Sequence, residues 1–113
     1  MEKFLLLIRE EVERLEKMSN EEIDRCIRTM NGWAETLAAS GNFISSEPLR
    51  TAGRYVGRDM VVSDGPFIEA KEAVSGYYLI RAENLEGAAA IAQTCPFVRT
   101  GRMAIEVRPI MEC

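Results

Sequence analysis

Ser75-Gly76-Tyr77-Tyr78-Leu79-Ile80-Arg81 is the stretch on which the fold turns. It is rich in residues that suit a pleated, half-buried surface, so it reads as a central strand. Successive side chains on a strand point to opposite faces. Tyr77 and Tyr78 therefore separate, and one of them faces the open side of the sheet, where a pocket or partner would lie. Gly76 predicts a bulge or a close approach of another backbone.

Both flanks of this strand carry punctuation. Downstream, Asn84 caps a helix from Leu85 to about Thr94 whose Leu85, Ala88, Ala89, Ile91 and Ala92 form a small-residue face. Pro96 stops it. Met103 to Pro109 then alternates apolar with polar residues as a last strand. Upstream, Asp59–Ser63 reads as a strand running into Asp64-Gly65-Pro66-Phe67. Asp bonds its own backbone, Gly tolerates positive φ and Pro fixes φ, so this is a turn. Asp-Gly alone would reverse the chain. The charges that follow, Glu69, Lys71 and Glu72, exceed what a reversal needs and mark the place as a candidate site.

Farther upstream, Asn42 to Leu49 is extended, and Pro48 marks it as an edge strand or the end of one. Ser19 followed by Glu22 forms a capping box that opens the clearest helix. Ile23, Ile27, Met30, Ala34, Leu37 and Ala38 share one face of it, and Gly41 ends it. Trp33 lies on the flank of that stripe, where it packs at the edge of the core or in a dimer interface, or else lines a ligand pocket. Residues 3 to 9 form a short apolar opening strand. The charge-rich run Glu10 to Lys17 reads as a solvated loop or loose helical turn, or alternatively as a flap over a pocket. The order β-α-β-β-β-α-β contains two βαβ-like crossovers. It predicts an α+β sandwich with the helices on one face of a mostly antiparallel sheet. The other face needs cover, and a homodimer pairing two sheets is the simplest solution.

Composition narrows the function. At 113 residues the chain is a single domain, 1–113, with a modest core. A net charge of −4 argues against nucleic acid or an anionic membrane as partner. The apolar run Phe4 to Ile8 is too short to span a bilayer and no secretory h-region follows Met1, so the expected compartment is the cytoplasm. There is no histidine, so any chemistry falls to carboxylates, Lys, Tyr, Arg or Cys. Cys26, Cys95 and Cys113 fit neither a disulfide framework nor a zinc knuckle, and no metal site is expected. Cys95, at a helix C-terminus where the dipole disfavours a thiolate, reads as a small buried hydrophobe.

The motifs together resemble the DGPF family, a branch of the YCII-related proteins. The resemblance runs from the opening strand Phe4 to Arg9 through Trp33, Gly41 and Asp64-Gly65-Pro66-Phe67 with Glu69, Lys71 and Glu72. It continues through Gly76-Tyr77 and Cys95-Pro96 to Glu106-Val107-Arg108-Pro109. It implies a ferredoxin-like fold, usually assembled as a dimeric α+β barrel. Relatives of this barrel type include small enzymes acting on lactones and chlorinated aromatics, and other family members are linked to sigma factors. A His–Asp pair found in another branch has no counterpart here. Thr100-Gly101-Arg102 stands where the closing hairpin usually carries Gly-Gly.

The candidate catalytic residues are Asp64, Glu69 and Lys71. Asp64 either braces its turn or serves as a base beside a pocket. Glu69 and Lys71 form either a solvated charge run or a proton-transfer and carbonyl-polarising pair. Arg9 and Arg108, on the first and last strands, are candidates for binding a small anionic metabolite, with Trp33 and Tyr77 lining the site. Arg108 alternatively pairs with a carboxylate such as Glu47 or Asp64. The leading expectation is a cytoplasmic homodimer with a small-molecule pocket near Asp64, working as a cofactor-free proton-transfer enzyme. The alternative is a non-catalytic regulatory or interaction module.

Overall fold

Strands β1 (Glu2–Glu11) and β5 (Glu72–Ala82) form the spine of the sheet in the computed structural model, which describes residues 1–62 and 72–112. They run antiparallel, with Phe4 opposite Ile80 and Leu6 opposite Tyr78. Strand β2 (Phe43–Pro48) lies outside β5 and strand β6 (Ala104–Pro109) outside β1, which gives the order β2-β5-β1-β6. Every neighbouring pair is antiparallel. Helix α2 (Asn20–Ala39) connects β1 to β2, and helix α3 (Leu85–Gln93) connects β5 to β6. Each crossover skips one strand, so two βαβ units interleave in a ferredoxin-like α+β sandwich. Two short helices, α1 (Val12–Lys17) and α4 (Pro96–Arg99), and a separate hairpin of β3 (Tyr55–Gly57) and β4 (Met60–Val62) complete the described elements.

The period-two pattern decides which side is covered. Phe4, Leu6, Ile8 and Glu10 on β1, with Tyr78, Ile80 and Ala82 on β5, are buried beneath the helices. Leu5, Leu7, Tyr77 and Leu79 point the other way and are half-buried. From α2, Met30, Trp33 and Leu37 enter the core, and Ala88 and Ala92 let α3 lie close to the sheet. The caps anticipated from sequence are present. The Ser19 hydroxyl accepts from the Glu22 N–H at 3.1 Å, and Asn84 Oδ1 accepts from the Gly87 N–H at 2.8 Å. Gly41 ends α2 with φ +81°, a left-handed conformation that side chains disfavour. Gly76 meets both halves of its reading. The β1–β5 register shifts beside it, and a Cβ there would lie 3.0 Å from the Glu47 carbonyl oxygen of β2.

The elements differ from the sequence reading in several places: β3 has no counterpart there, and it pairs with β4 outside the four-stranded sheet. Of the readings of the charged run, the helical turn is present as α1 (Val12–Lys17), while Glu10 and Glu11 before it continue β1. Alternation carries β1 one inward position further because a buried counter-charge, Arg102, meets Glu10 there. Strand β5 begins at Glu72 rather than Ser75, since the bulge beside Gly76 interrupts the ladder without ending it. Asp64, Glu69 and Lys71, with the turn expected at Asp64-Gly65-Pro66-Phe67, lie outside the described residues, as does Cys113.

Candidate functional site

A cavity of about 70 Å³ opens between α2 and the end of the sheet where β1 finishes and β5 starts. Ile8, Met30 and Met103 give it apolar walls, and Glu10, Ser46 and Tyr78 supply polar atoms. The sheet positions Glu10, whose inward direction follows from its place two residues beyond Ile8. It is 4% exposed, and its Oε1 has no hydrogen-bond partner. The nearest cation is Arg102, with Nε 3.6 Å from that oxygen and itself buried without a hydrogen-bond acceptor. Gly101, at φ +79°, turns the chain after α4 so that Arg102 reaches back. The guanidinium then sits 4.6 Å over the Phe97 ring, and its Nη2 lies 3.3 Å from Met18 Sδ. A buried charge pair held apart in this way keeps most of its desolvation cost, which a further hydrogen-bonding group would relieve.

The phenol and thiols around the cavity are held neutral. The Tyr78 hydroxyl donates to the Met30 carbonyl. Burial pushes its pKa up to about 12, the Cys95 thiol adds to the rise, and a hydrogen bond from Ser46 partly offsets it. Burial likewise raises the Cys26 thiol, against a smaller pull from Arg102. It also raises Cys95, whose sulfur rests 3.8 Å from Met30 Sδ. Tyr78 is thus a donor and neither cysteine a ready thiolate, and of the two carboxylates on the wall, Glu10 and Glu47, Glu10 is the buried one. No group of His, Cys, Asp and Glu suited to a metal occurs among the described residues.

Tyr78 makes the fold sensitive to alkali. Up to about pH 10 both folded and unfolded chains hold the phenol proton. From there to about 12 only the folded chain holds it, so stability falls as pH rises through that window. The gap in melting temperature between wild type and Tyr78→Phe is expected to shrink steadily between these limits in a pH series of thermal melts. A constant gap would contradict the assigned cause.

The remaining sequence candidates divide between the two faces of the sheet. Arg9 and Arg108 flank Glu106 on the open face. Arg9 Nη2 and Nε lie 2.7 and 3.2 Å from Glu106 Oε1, and Arg108 Nη1 lies 3.3 Å from Oε2. The hydrogen bond from Arg9, then that from Arg108, lowers the Glu106 pKa. The carboxylate that meets Arg108 is therefore Glu106, not Glu47. Tyr77 shares this face, opposite Leu7 and Glu47. Trp33 lies on the covered side in the core, 5% exposed. Its indole N–H donates to Thr94 Oγ1 at 2.9 Å and its ring is centred 4.7 Å from that of Tyr78. Glu10 was missed because it opens a charge run. The alternation Phe4, Leu6, Ile8, Glu10 was the signal that pointed to it.

Two comparisons with known proteins agree with this architecture. The fold is similar to that of 5-chloro-2-hydroxyhydroquinone dehydrochlorinase (TftG) from Burkholderia phenoliruptrix, solved in complex with 2,5-dihydroxybenzoquinone. The TM-score is 0.58 at 18% sequence identity, over 98% of this chain and 95% of that one. No curated protein matches. The family model of the YCII-related domain matches residues 3–113, and the chain belongs to that family.

Proposed function

We propose that this protein is a small-molecule enzyme that works by proton transfer without a cofactor, with the cavity beneath the end of β1 as its active site and Glu10 as its base. The observation that carries the reading is the buried Glu10 carboxylate, with an oxygen that no donor satisfies, set in an apolar cavity. A buried polar atom left without a partner in a cavity marks a candidate site. The similarity to a dehydrochlorinase supports the reaction class, since loss of HCl from a ring compound requires a proton to be taken up. The reading moves the base from Asp64 or Glu69 to Glu10.

The homodimer and the cytoplasmic location are part of the same proposal, the location resting on the sequence reading alone. Leu5, Leu7, Tyr77 and Leu79 make an apolar strip on the open face, edged by the Arg9–Glu106–Arg108 cluster. A two-fold axis would lay that strip against its own copy.

The test begins with a thermal-shift screen of uncharged and anionic metabolites against the full chain. A ligand at 100 times its dissociation constant adds about 2.7 kcal/mol. Ligands found in this way are then incubated with enzyme in D2O, and loss of their acidic C–H signals is followed by NMR. Wild type is expected to catalyse the exchange and Glu10→Gln to lose it by at least about a hundredfold, the share of a positioned general base. Exchange at an equal rate in Glu10→Gln would overturn the assignment.

A further inference from the structure

We infer that the cavity takes a compact, uncharged molecule that donates a hydroxyl proton to Glu10, and that it rejects carboxylates. The inference rests on the reading of the cavity as the ligand site and fixes the chemistry of its occupant. Among the described residues the charged ones lining the cavity are Glu10 and Glu47, and no Lys or Arg lines it. The two arginines that suggested an anionic ligand, Arg9 and Arg108, both point to the opposite face of the sheet, where Glu106 engages them. An anion entering the cavity would meet a buried carboxylate and, among the described residues, no cation on the wall.

A donor is what Glu10 lacks. Glu10 Oε1 has none, and the nearby Tyr78 hydroxyl already gives its proton to the Met30 carbonyl. The ligand must therefore bring the hydrogen. It need not bring charge, because Arg102 at 3.6 Å already balances Glu10 from outside the lining. Size sets a further limit. About 70 Å³ admits a hydroxyl and a few carbons, given roughly 30 Å³ for each water displaced. The rest of a larger molecule would remain in the mouth, against Ile27 and Pro48. An uncharged hydroxyl on an apolar body fits all three conditions, and phenol is the simplest example.

The experiment uses the full chain labelled at its methionine methyls, since Met30 and Met103 both line the cavity. It is titrated separately with phenol, benzoate and benzylammonium, which share a ring and differ in charge. Phenol is expected to shift the Met30 and Met103 signals saturably while benzoate leaves them in place. Benzylammonium is expected to bind more weakly than phenol. Glu10→Gln is expected to weaken phenol about tenfold or more, the share of a hydrogen bond to a charged acceptor. If that variant fails to fold, the three-way comparison on wild type still decides the matter. Benzoate or benzylammonium binding at these methyls more tightly than phenol overturns the inference and leaves the cavity standing as a ligand site. Silence with all three overturns both. Unchanged phenol affinity in a folded Glu10→Gln removes Glu10 as the acceptor.

Discussion

Arg102→Met is expected to lower stability by about 3 to 5 kcal/mol, among the largest single effects available in this chain. The cause is what the change leaves behind. Glu10 is 4% exposed, and with Arg102 gone its carboxylate has no counter-charge and still has one oxygen without a donor. For a domain of this size 1 kcal/mol moves the melting temperature by roughly 4 °C, so the drop is readily seen in a thermal melt. The second half of the prediction isolates the pair. Adding Glu10→Met to Arg102→Met removes the stranded charge and is expected to recover most of the loss, because a well-packed apolar replacement of a buried pair is often neutral. Loss of the cation's packing on Phe97 limits that recovery. Two single changes whose costs simply add in the double variant would contradict the coupling.

Trp33→Ala is expected to cost about 3 to 5 kcal/mol, the range for removing a buried aromatic side chain. The ring is 5% exposed, packs against Tyr78 and donates to Thr94, so the substitution opens a void and removes that hydrogen bond. Trp33→Phe retains much of the volume and is expected to lose only the hydrogen bond and part of the packing, about 1 to 2 kcal/mol. The comparison discriminates between two roles for this residue. A core residue loses stability in both variants while any ligand affinity of the folded Phe variant stays near that of wild type. A Trp that lined the ligand would lose affinity in Trp33→Phe with little change in melting temperature.

The parts of the fold that were legible from sequence rest on local physics. Ser19 and Glu22 bond each other's backbone within one turn, and Asn84 does the same for α3, so both helix starts are written in adjacent residues. The central strand was legible because its composition suits a sheet whatever lies beside it. Glu10 was a different problem. Its burial depends on Arg102, which is brought to it by the turn at Gly101 after α4, and nothing within the charge run announces that partner. Local composition favoured a solvated loop or loose helical turn; the turn forms from Val12, but at Glu10 tertiary pairing overrode it. Arg9 and Arg108 were expected to come together because the first and last strands are close. They do so, with β6 beside β1, but Glu106 stands between them on the same face and engages both. A charge pattern thus placed the arginines correctly with respect to each other and was silent on what they hold.

The cavity at Glu10 is the centre of the functional account, and a crystal structure of the full chain soaked with a hydroxyl compound found by the thermal-shift screen tests it most directly. The account predicts the ligand between α2 and the end of β1, with its hydroxyl oxygen about 2.5 to 2.7 Å from Glu10 Oε1. A ligand seated instead on the open face against Arg9 and Arg108, with the cavity beside Glu10 unoccupied, would contradict it.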